Sequence, residues 1–343
     1  MEELLTKLTD MRGISGYEYR INEKIKELFL PYADEVKITN LGSVVAFKKG
    51  RTSKMKIMLE AHCDEIGLMI SKISDDGFLS FVNVGGVDSR ILPAAEVTIH
   101  GKKDIKGVVG AKPPHILTDN ERKNGIKITD MSIDTGLDYQ EVTKLISVGD
   151  SVSLSQSVGR LKNDNFSAKT LDDRAGVAAI IEVFKRIGQI DADLYALISV
   201  QEEVGLRGAK TGAFEINPDV AIAIDVCHAV TFDNSKNAFE AGEGAVITIG
   251  PNIHQRLADK LFEIARKYDI KTKTDVDSGH TGTDAWEIQV TRCGIPTGLI
   301  SIPLKYMHTS VEAVNLKDLD ATVSLLERLL KESDDFTEDW LCY

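Results

Sequence analysis

The chain contains 343 residues, of which 43% are hydrophobic and 27% are charged, and its formal net charge at pH 7 is −12. This length favours a main domain with an inserted or appended one, and the composition is that of an ordinary globular protein. The acidic balance argues against nucleic-acid or anionic-membrane partners, because basic surfaces are needed to neutralise phosphate groups.

Other features of the sequence concern the location of the protein. No apolar stretch approaches the length of a membrane span, so we expect no membrane partner. Residues 1–5 lack a basic region followed by an apolar one, so we expect no signal peptide. The cysteines show no CxxC spacing. The sequence therefore predicts a reduced, cytoplasmic protein.

Short apolar runs alternate along the chain with stretches of helical periodicity. Nearly continuous apolar runs are typical of strands that are buried on both faces. Such runs occupy residues 55–61, 194–200, 220–224 and 295–302. Apolar spacing and end signals predict helices over 172–187, 253–268 and 316–332. The alternation predicts an α/β fold in which helices sandwich a mixed, largely parallel sheet.

The segment 69–165 has a different composition. It is rich in Gly, Val, Ile, Ser and Thr and contains few convincing amphipathic helices. Turn signals recur in it, such as Asp75-Asp76-Gly77. We therefore predict a small β-rich domain inserted into a main domain that consists of residues 1–68 and 166–343.

Acidic and histidine side chains follow the predicted strands or begin a predicted helix. In open α/β sheets, sites form beyond the carboxyl ends of the strands, and histidine and carboxylate ligands suit Zn²⁺, Co²⁺ or Mn²⁺. Each residue alone also has an ordinary explanation, as a surface histidine, a helix cap or a solvated strand end. The set comprises His62, Asp64, Asp172, Asp173, Glu202, Glu203, Asp225 and His308.

Two pairs of adjacent acids are the most informative part of this set. One aspartate is enough to cap a helix, so the second acid of Asp172-Asp173 invites another explanation, such as a carboxylate that bridges two cations. Glu202 and Glu203 follow a buried strand, where like charges raise each other's pKa unless cations compensate. Because neighbouring side chains diverge, one glutamate can bind metal while the other faces a bound water.

Six motifs in a fixed order carry a resemblance that covers nearly the whole chain. They are Ala61-His62-Cys63-Asp64-Glu65-Ile66-Gly67, Leu171-Asp172-Asp173-Arg174-Ala175-Gly176, Gln201-Glu202-Glu203-Val204-Gly205-Leu206-Arg207-Gly208-Ala209, Ala223-Ile224-Asp225-Val226, Gly282-Thr283-Asp284-Ala285 and Tyr306-Met307-His308-Thr309. This set resembles the M42 family of metallo-aminopeptidases, which includes glutamyl and leucyl aminopeptidases and the tetrahedral TET peptidases.

The resemblance implies two divalent metal ions per subunit, Zn²⁺, Co²⁺ or Mn²⁺, that share one bridging aspartate. The ligands of the first ion would be His62, Asp172 and Asp225. Those of the second would be Asp172, Glu203 and His308.

Catalytic and substrate-binding roles are also implied by the resemblance. Glu202 would be the general base and acid, and Asp64 would orient the first histidine ligand. Thr283 and Asp284 are expected to line the substrate pocket. Related co-catalytic peptidases have a cis peptide bond after the bridging aspartate, so we predict one after Asp172.

The implied architecture is the co-catalytic metallopeptidase fold with an inserted small β-barrel that resembles the family's PDZ-like dimerisation domain. The implied assembly is a homo-oligomer, a hollow dodecamer built from dimers. This sequence departs from the family pattern at Thr309-Ser310, where a proline often follows, and at Gly279-His280-Thr281. Neither departure touches a proposed ligand.

The expected reaction is hydrolysis of the first peptide bond of a peptide with a free N-terminus. One alternative is another metal-dependent hydrolase on the same scaffold, namely a deacylase, a carboxypeptidase or a glycosidase. A second is a non-enzymatic scaffold with a structural metal. The sequence leaves the preferred N-terminal residue open. An acidic preference would require a cation in the first pocket, for which Arg90, Arg292 and Lys305 are candidates.

Overall fold

The computed structural model describes residues 1–119, 125–155, 159–232, 238–333, 336 and 338–341. The strands are β1 Glu35–Ile38, β2 Val44–Lys48, β3 Lys56–His62, β4 Gly67–Ile73, β5 Leu79–Val84, β6 Glu96–His100, β7 Asp104–Ala111, β8 Met131–Asp134, β9 Ser151–Leu154, β10 Gly159–Arg160, β11 Asn165–Ala168, β12 Asp193–Ser199, β13 Val220–His228, β14 Ala245–Ile249, β15 Thr272–Val276, β16 Thr297–Lys305 and β17 Glu312–Asn315. The helices are α1 Glu2–Thr9, α2 Asn22–Phe29, α3 Tyr139–Leu145, α4 Leu171–Arg186, α5 Arg207–Ile216, α6 Gln255–Lys267, α7 Ala285–Ile288, α8 Leu316–Lys331 and α9 Glu338–Leu341.

A large mixed sheet has four parallel strands at its centre. These strands lie in the order β12, β3, β13 and β16, and antiparallel strands flank them on both sides. The four central strands are almost wholly buried, which explains their continuous apolar sequences. The fold confirms the predicted α/β class with a mixed sheet, in which β14 and β15 also pair in parallel beside this centre.

Helix α4 connects this sheet to the proposed site. It packs against β3 and β13 and also against α8. Its residues are buried from Leu171 to Phe184, and small side chains such as Ala175, Ala178 and Ala179 allow close approach to the strands. The start of α4, where the adjacent aspartates lie, is therefore held against the sheet.

The strands β4 to β9 close into an antiparallel barrel over residues 67–154. Its apolar core is separate from the core of the large sheet and includes Leu68, Ile70, Ile99, Ile133 and Val152. This barrel confirms the expected small β-barrel. The boundaries of the inserted domain at 69 and 165 stay a prediction.

The observed strands and helices follow the predicted runs closely, with one informative difference. The run 220–224 was expected to end before Asp225, but β13 continues to His228. Pairing with β16 continues through this region, with Asp225 opposite Ser301. Asp225 thus lies inside a strand rather than after it.

None of the helices in the described ranges combines the length and apolar character needed to cross a membrane.

Candidate active site

A cavity of about 830 Å³ lies at the carboxyl ends of the four central strands. The parallel direction of these strands brings the residues at their ends to one edge of the sheet. The predicted metal ligands and the predicted general base all line this cavity. They are His62, Asp172, Glu202, Glu203, Asp225 and His308.

The first group of possible metal ligands consists of His62, Asp172 and Asp225, which are all buried. One ligand atom from each lies within 4.8 Å of the others. Nε2 of His62 lies 3.1 Å from Oδ1 of Asp172. His62 ends β3 and Asp225 lies in the neighbouring strand β13, so strand pairing brings these two side chains together.

The second group consists of Asp172, Glu203 and His308, and its ligand atoms also lie within 4.8 Å of one another. Nε2 of His308 lies 3.3 Å from Oδ2 of Asp172 and 3.1 Å from Oε1 of Glu203. Asp172 belongs to both groups and directs one carboxylate oxygen towards each histidine. A carboxylate that bridges two cations requires this arrangement.

The main chain around these residues is irregular. The peptide bond between Asp172 and Asp173 is cis, as predicted. Neither aspartate has helical dihedral angles, although both lie at the start of α4. Thr170 and His308 have φ angles of 60° and 58°, in the left-handed region. Non-glycine residues with such angles are uncommon and cluster at functional sites.

Asp64 is fully buried behind the two ligand groups. Its carboxylate accepts hydrogen bonds from the main-chain N–H groups of Glu202 at 3.1 Å and Glu203 at 3.2 Å. It also accepts one from the hydroxyl of Ser15, and its Oδ1 lies 3.6 Å from Nδ1 of His62. Asp64 can therefore hold the glutamate pair as well as the histidine in place.

Glu202 lines the cavity but belongs to neither ligand group. Burial raises the pKa of its carboxyl to about 10, and the negative charges of Asp225, Asp284 and Glu203 act in the same direction. A carboxyl group in this position can exchange a proton with a molecule bound in the cavity.

Closely spaced carboxylates dominate the electrostatics of the ligand groups. Burial raises the pKa of Asp225 to about 8, and the charge of Asp172 adds to this effect. Hydrogen bonds with Asp172 and Glu203 raise the pKa of His308 to about 11. Cations bound between these side chains would replace the protons and balance the negative charges. The set of imidazole nitrogens and carboxylate oxygens therefore fits divalent ions such as Zn²⁺, Co²⁺ or Mn²⁺.

The two residues expected in the substrate pocket have different positions. Thr283 lines the cavity. Asp284 is buried behind the cavity wall, where it accepts a hydrogen bond of 2.7 Å from the hydroxyl of Ser199 and lies beside Glu60. The structure therefore brings Thr283, but not Asp284, to the lining of the cavity.

Two further acids, Asp275 and Asp277, line the cavity and were not predicted from the sequence. Asp275 lies near the end of β15 and Asp277 directly follows this strand, whose residues are partly or fully exposed. Such a strand has no continuous apolar run, so hydrophobic patterning does not detect it. The only signal in the sequence is the alternation of acids on either side of Val276.

Solved structures with a similar fold include aminopeptidases. An aminopeptidase from the archaeon Desulfurococcus kamchatkensis has a TM-score of 0.91 and 37% identity, over 99% of this chain and 96% of that chain. The TET1 peptidase of Pyrococcus horikoshii, which can assemble into a tetrahedron or a large octahedral shell, has a TM-score of 0.84 and 34% identity, over 96% of this chain and 99% of that chain. The fold is that of peptidases of the aminopeptidase class.

Sequence comparison identifies the family. The lysyl aminopeptidase of Pyrococcus furiosus is 38% identical over 96% of both chains. The family described as M42 glutamyl aminopeptidase matches residues 42–325. The chain belongs to the M42 peptidase family, which confirms the resemblance, and it is a hydrolase.

Proposed function

We propose that this enzyme removes the N-terminal residue of peptides by means of two divalent metal ions and the carboxylate of Glu202. The observation that carries the proposal is the pair of ligand groups that share Asp172, with Glu202 beside them in the same cavity. A structural metal site has no use for a free carboxylate beside its ligands. The arrangement therefore supports a catalytic site.

The two ligand groups would hold one ion each, with Asp172 between them. Bound there, the ions would polarise the scissile carbonyl and a water molecule, and their charge would lower the pKa of Glu202 towards neutrality. The metal ligands would be His62, Asp172 and Asp225 for one ion, and Asp172, Glu203 and His308 for the other.

Glu202 would carry the proton during the reaction. Its carboxylate would accept a proton from the attacking water and then deliver it to the nitrogen of the departing amine as the peptide C–N bond breaks. The hydrogen bond from the main-chain N–H of Glu202 to Asp64 would keep the side chain directed into the cavity. Thr283 would contact the substrate from the cavity wall.

The charges in the cavity favour a basic residue at the N-terminus of the substrate. Asp275 and Asp277 line the cavity, and no lysine or arginine of the described ranges does. Burial raises the pKa of Asp275, and the charge of Asp277 adds to this, so a cationic side chain would relieve the repulsion between them. The similarity to a relative named lysyl aminopeptidase supports the same preference.

An acidic N-terminal residue would have no lysine or arginine partner among these lining residues of the described ranges. Arg90 forms a salt bridge with Asp88, and Arg292 donates to the main-chain carbonyl of Phe214. Lys305 lies outside the lining as well. The family is described by a preference for an N-terminal glutamyl residue, and we therefore propose a different preference for this chain.

We further propose a homododecamer built from dimers. The support is the relative that forms a tetrahedron, because a closed tetrahedral assembly of identical subunits has twelve equivalent positions. The inserted barrel, with the proposed boundaries 69 and 165, would supply the dimer contact. The cytoplasmic location stays a prediction.

A panel of aminoacyl-p-nitroanilides tests the reaction, the metal and the side-chain preference together. Metal-stripped enzyme, reconstituted with Zn²⁺, Co²⁺ or Mn²⁺, should cleave lysyl and arginyl substrates with a kcat/KM at least about tenfold above that for the glutamyl substrate, a difference of about 1.4 kcal/mol. An N-acetylated lysyl anilide is the control and should not be cleaved.

Each alternative outcome of the panel has a distinct meaning. Full activity of the metal-stripped enzyme would contradict the metal ions. Release of acetate from the acetylated control would indicate a deacylase. Faster cleavage of the glutamyl than of the lysyl substrate would contradict the basic preference alone.

A further inference from the structure

A buried glutamate outside both ligand groups contacts the main chain of two proposed ligands. Glu312 is the first residue of β17 and is only 2% exposed. Its Oε2 accepts a hydrogen bond of 3.1 Å from the N–H of Asp172. Its Oε1 accepts one of 2.9 Å from the N–H of His308. One carboxylate therefore connects two segments that are far apart in the sequence.

Both of these N–H groups need an acceptor from outside regular secondary structure. Asp172 lies in the first turn of α4, where N–H groups have no intrahelical acceptor. His308 lies in the turn after β16 with a φ angle of 58°. A buried N–H group without an acceptor is unfavourable. Glu312 satisfies both groups and thereby restrains both main chains.

The restrained residues are the ones whose side chains face each other in the second ligand group. Nε2 of His308 lies 3.3 Å from Oδ2 of Asp172. A displacement of either main chain changes this separation, because each side chain is attached to the main chain that Glu312 restrains. Glu312 itself does not belong to either ligand group.

We propose that Glu312 is a positioning residue for the second metal ion, the one assigned to Asp172, Glu203 and His308. It acts by holding the main chains of Asp172 and His308 at a fixed spacing, and this inference rests on the metal ions of the proposed function. Loss of a group that orients metal ligands typically lowers metal affinity by about 10- to 100-fold.

Asp318 provides a matched control elsewhere in the chain. It is fully buried, and its two carboxylate oxygens accept hydrogen bonds of 2.7 Å each from the main-chain N–H groups of Gly242 and Gly244. It is not among the residues that line the cavity. Asp318→Asn therefore removes the same kind of double acceptor without touching the ligand groups.

The experiment measures Zn²⁺ affinity by competition with a chelator, and thermal melting, for the wild type and for Glu312→Gln and Asp318→Asn. In Glu312→Gln, the amide oxygen of the new side chain can accept a hydrogen bond from one of the two N–H groups. The amide NH₂ group then faces the other N–H group and cannot accept from it. We expect one of two bound ions to lose about 10- to 100-fold in affinity, the same ion that is lost in His308→Ala, and excess Zn²⁺ to restore activity. Asp318→Asn should lower the melting temperature and leave both affinities unchanged.

Unchanged affinity for both ions in Glu312→Gln would overturn the inference. A wild-type enzyme that binds fewer than two ions would instead contradict the proposed function, so the two failures are distinguishable. If Glu312→Gln does not fold, Glu312→Asp is measured in the same way. Its shorter side chain keeps the carboxyl group but cannot reach both N–H groups, so unchanged affinities in that variant would also overturn the inference.

Discussion

The adjacent residues Glu202 and Glu203 permit a sharp test, because the same substitution should have different effects at the two positions. Glu202→Gln preserves the size of the side chain and leaves the main-chain hydrogen bond to Asp64 in place. Glu202 belongs to neither ligand group. We therefore expect the variant to fold normally and to bind both metal ions.

The expected loss of activity in Glu202→Gln is large. The amide that replaces the carboxylate cannot accept a proton from water, and a positioned general base or acid contributes about 10²- to 10⁴-fold to the rate. Because Glu202 would serve in both proton transfers, we expect kcat to fall by about 10³-fold or more, which corresponds to about 4 kcal/mol. KM for a lysyl anilide should change little.

Glu203→Gln is the matched control. Oε1 of Glu203 lies 3.1 Å from Nε2 of His308, within the second ligand group. We expect this variant to lose one metal ion, and its activity should return in part when the metal concentration is raised. Metal content after dialysis and kcat are measured on the same samples. Near-normal kcat in Glu202→Gln, or equal metal loss in the two variants, would refute the division of roles between the glutamates.

Three further predictions concern specificity, packing and pH. Replacing both Asp275 and Asp277 by Asn should lower kcat/KM for the lysyl anilide by about tenfold and change that for the leucyl anilide little; equal losses would contradict their role in specificity. Gly208→Ala should lower the unfolding free energy in urea by about 1–3 kcal/mol, because a Cβ there would overlap main-chain atoms just after β12, and an unchanged midpoint would argue against this close packing. A hydrogen bond from Lys267 lowers the pKa of Glu332 to about 2, below the unfolded value of about 4.3, so the stabilising effect is present above about pH 4.3 and is lost as the pH falls towards 2. Urea denaturation should show Glu332→Gln less stable than the wild type by up to about 1 kcal/mol at pH 7. This difference should shrink as the pH falls from about 4.3 towards 2, and a constant difference would contradict the assignment.

The α/β class and the location of the cavity could be predicted because buried strands have a strong sequence signal. The central strands are continuous apolar runs, and His62, Glu202 and Asp225 lie at or near their carboxyl ends. The resemblance then assigned the ligands, and the structure brings them into two groups that share Asp172. The roles within these groups stay predictions that the substitutions above test.

The remaining parts of the site lack such a signal. The strand β15, which contains Asp275 and is followed by Asp277, is polar and half-exposed, so periodicity does not distinguish it from a loop. Asp284 follows a residue of the cavity lining in the sequence, yet its side chain is buried beside Ser199. Glu312 contacts main-chain N–H groups, and these contacts depend only on how distant segments meet.

The main chain of the proposed ligands is held in place by two kinds of restraint. Asp225 is fixed by the pairing of β13 with β16. The ligands outside strands depend on buried carboxylates: Asp64 accepts from the N–H groups of the glutamate pair, and Glu312 accepts from those of Asp172 and His308. Burial alone would raise the pKa of Asp64, but hydrogen bonds with His62 and Ser15 lower it. This carboxylate therefore also adds negative charge near the ligands, which favours cations over neutral molecules at the site. Asp64 can therefore both hold the glutamate pair and attract the ions, whereas Glu312 acts through its two hydrogen bonds to main-chain N–H groups.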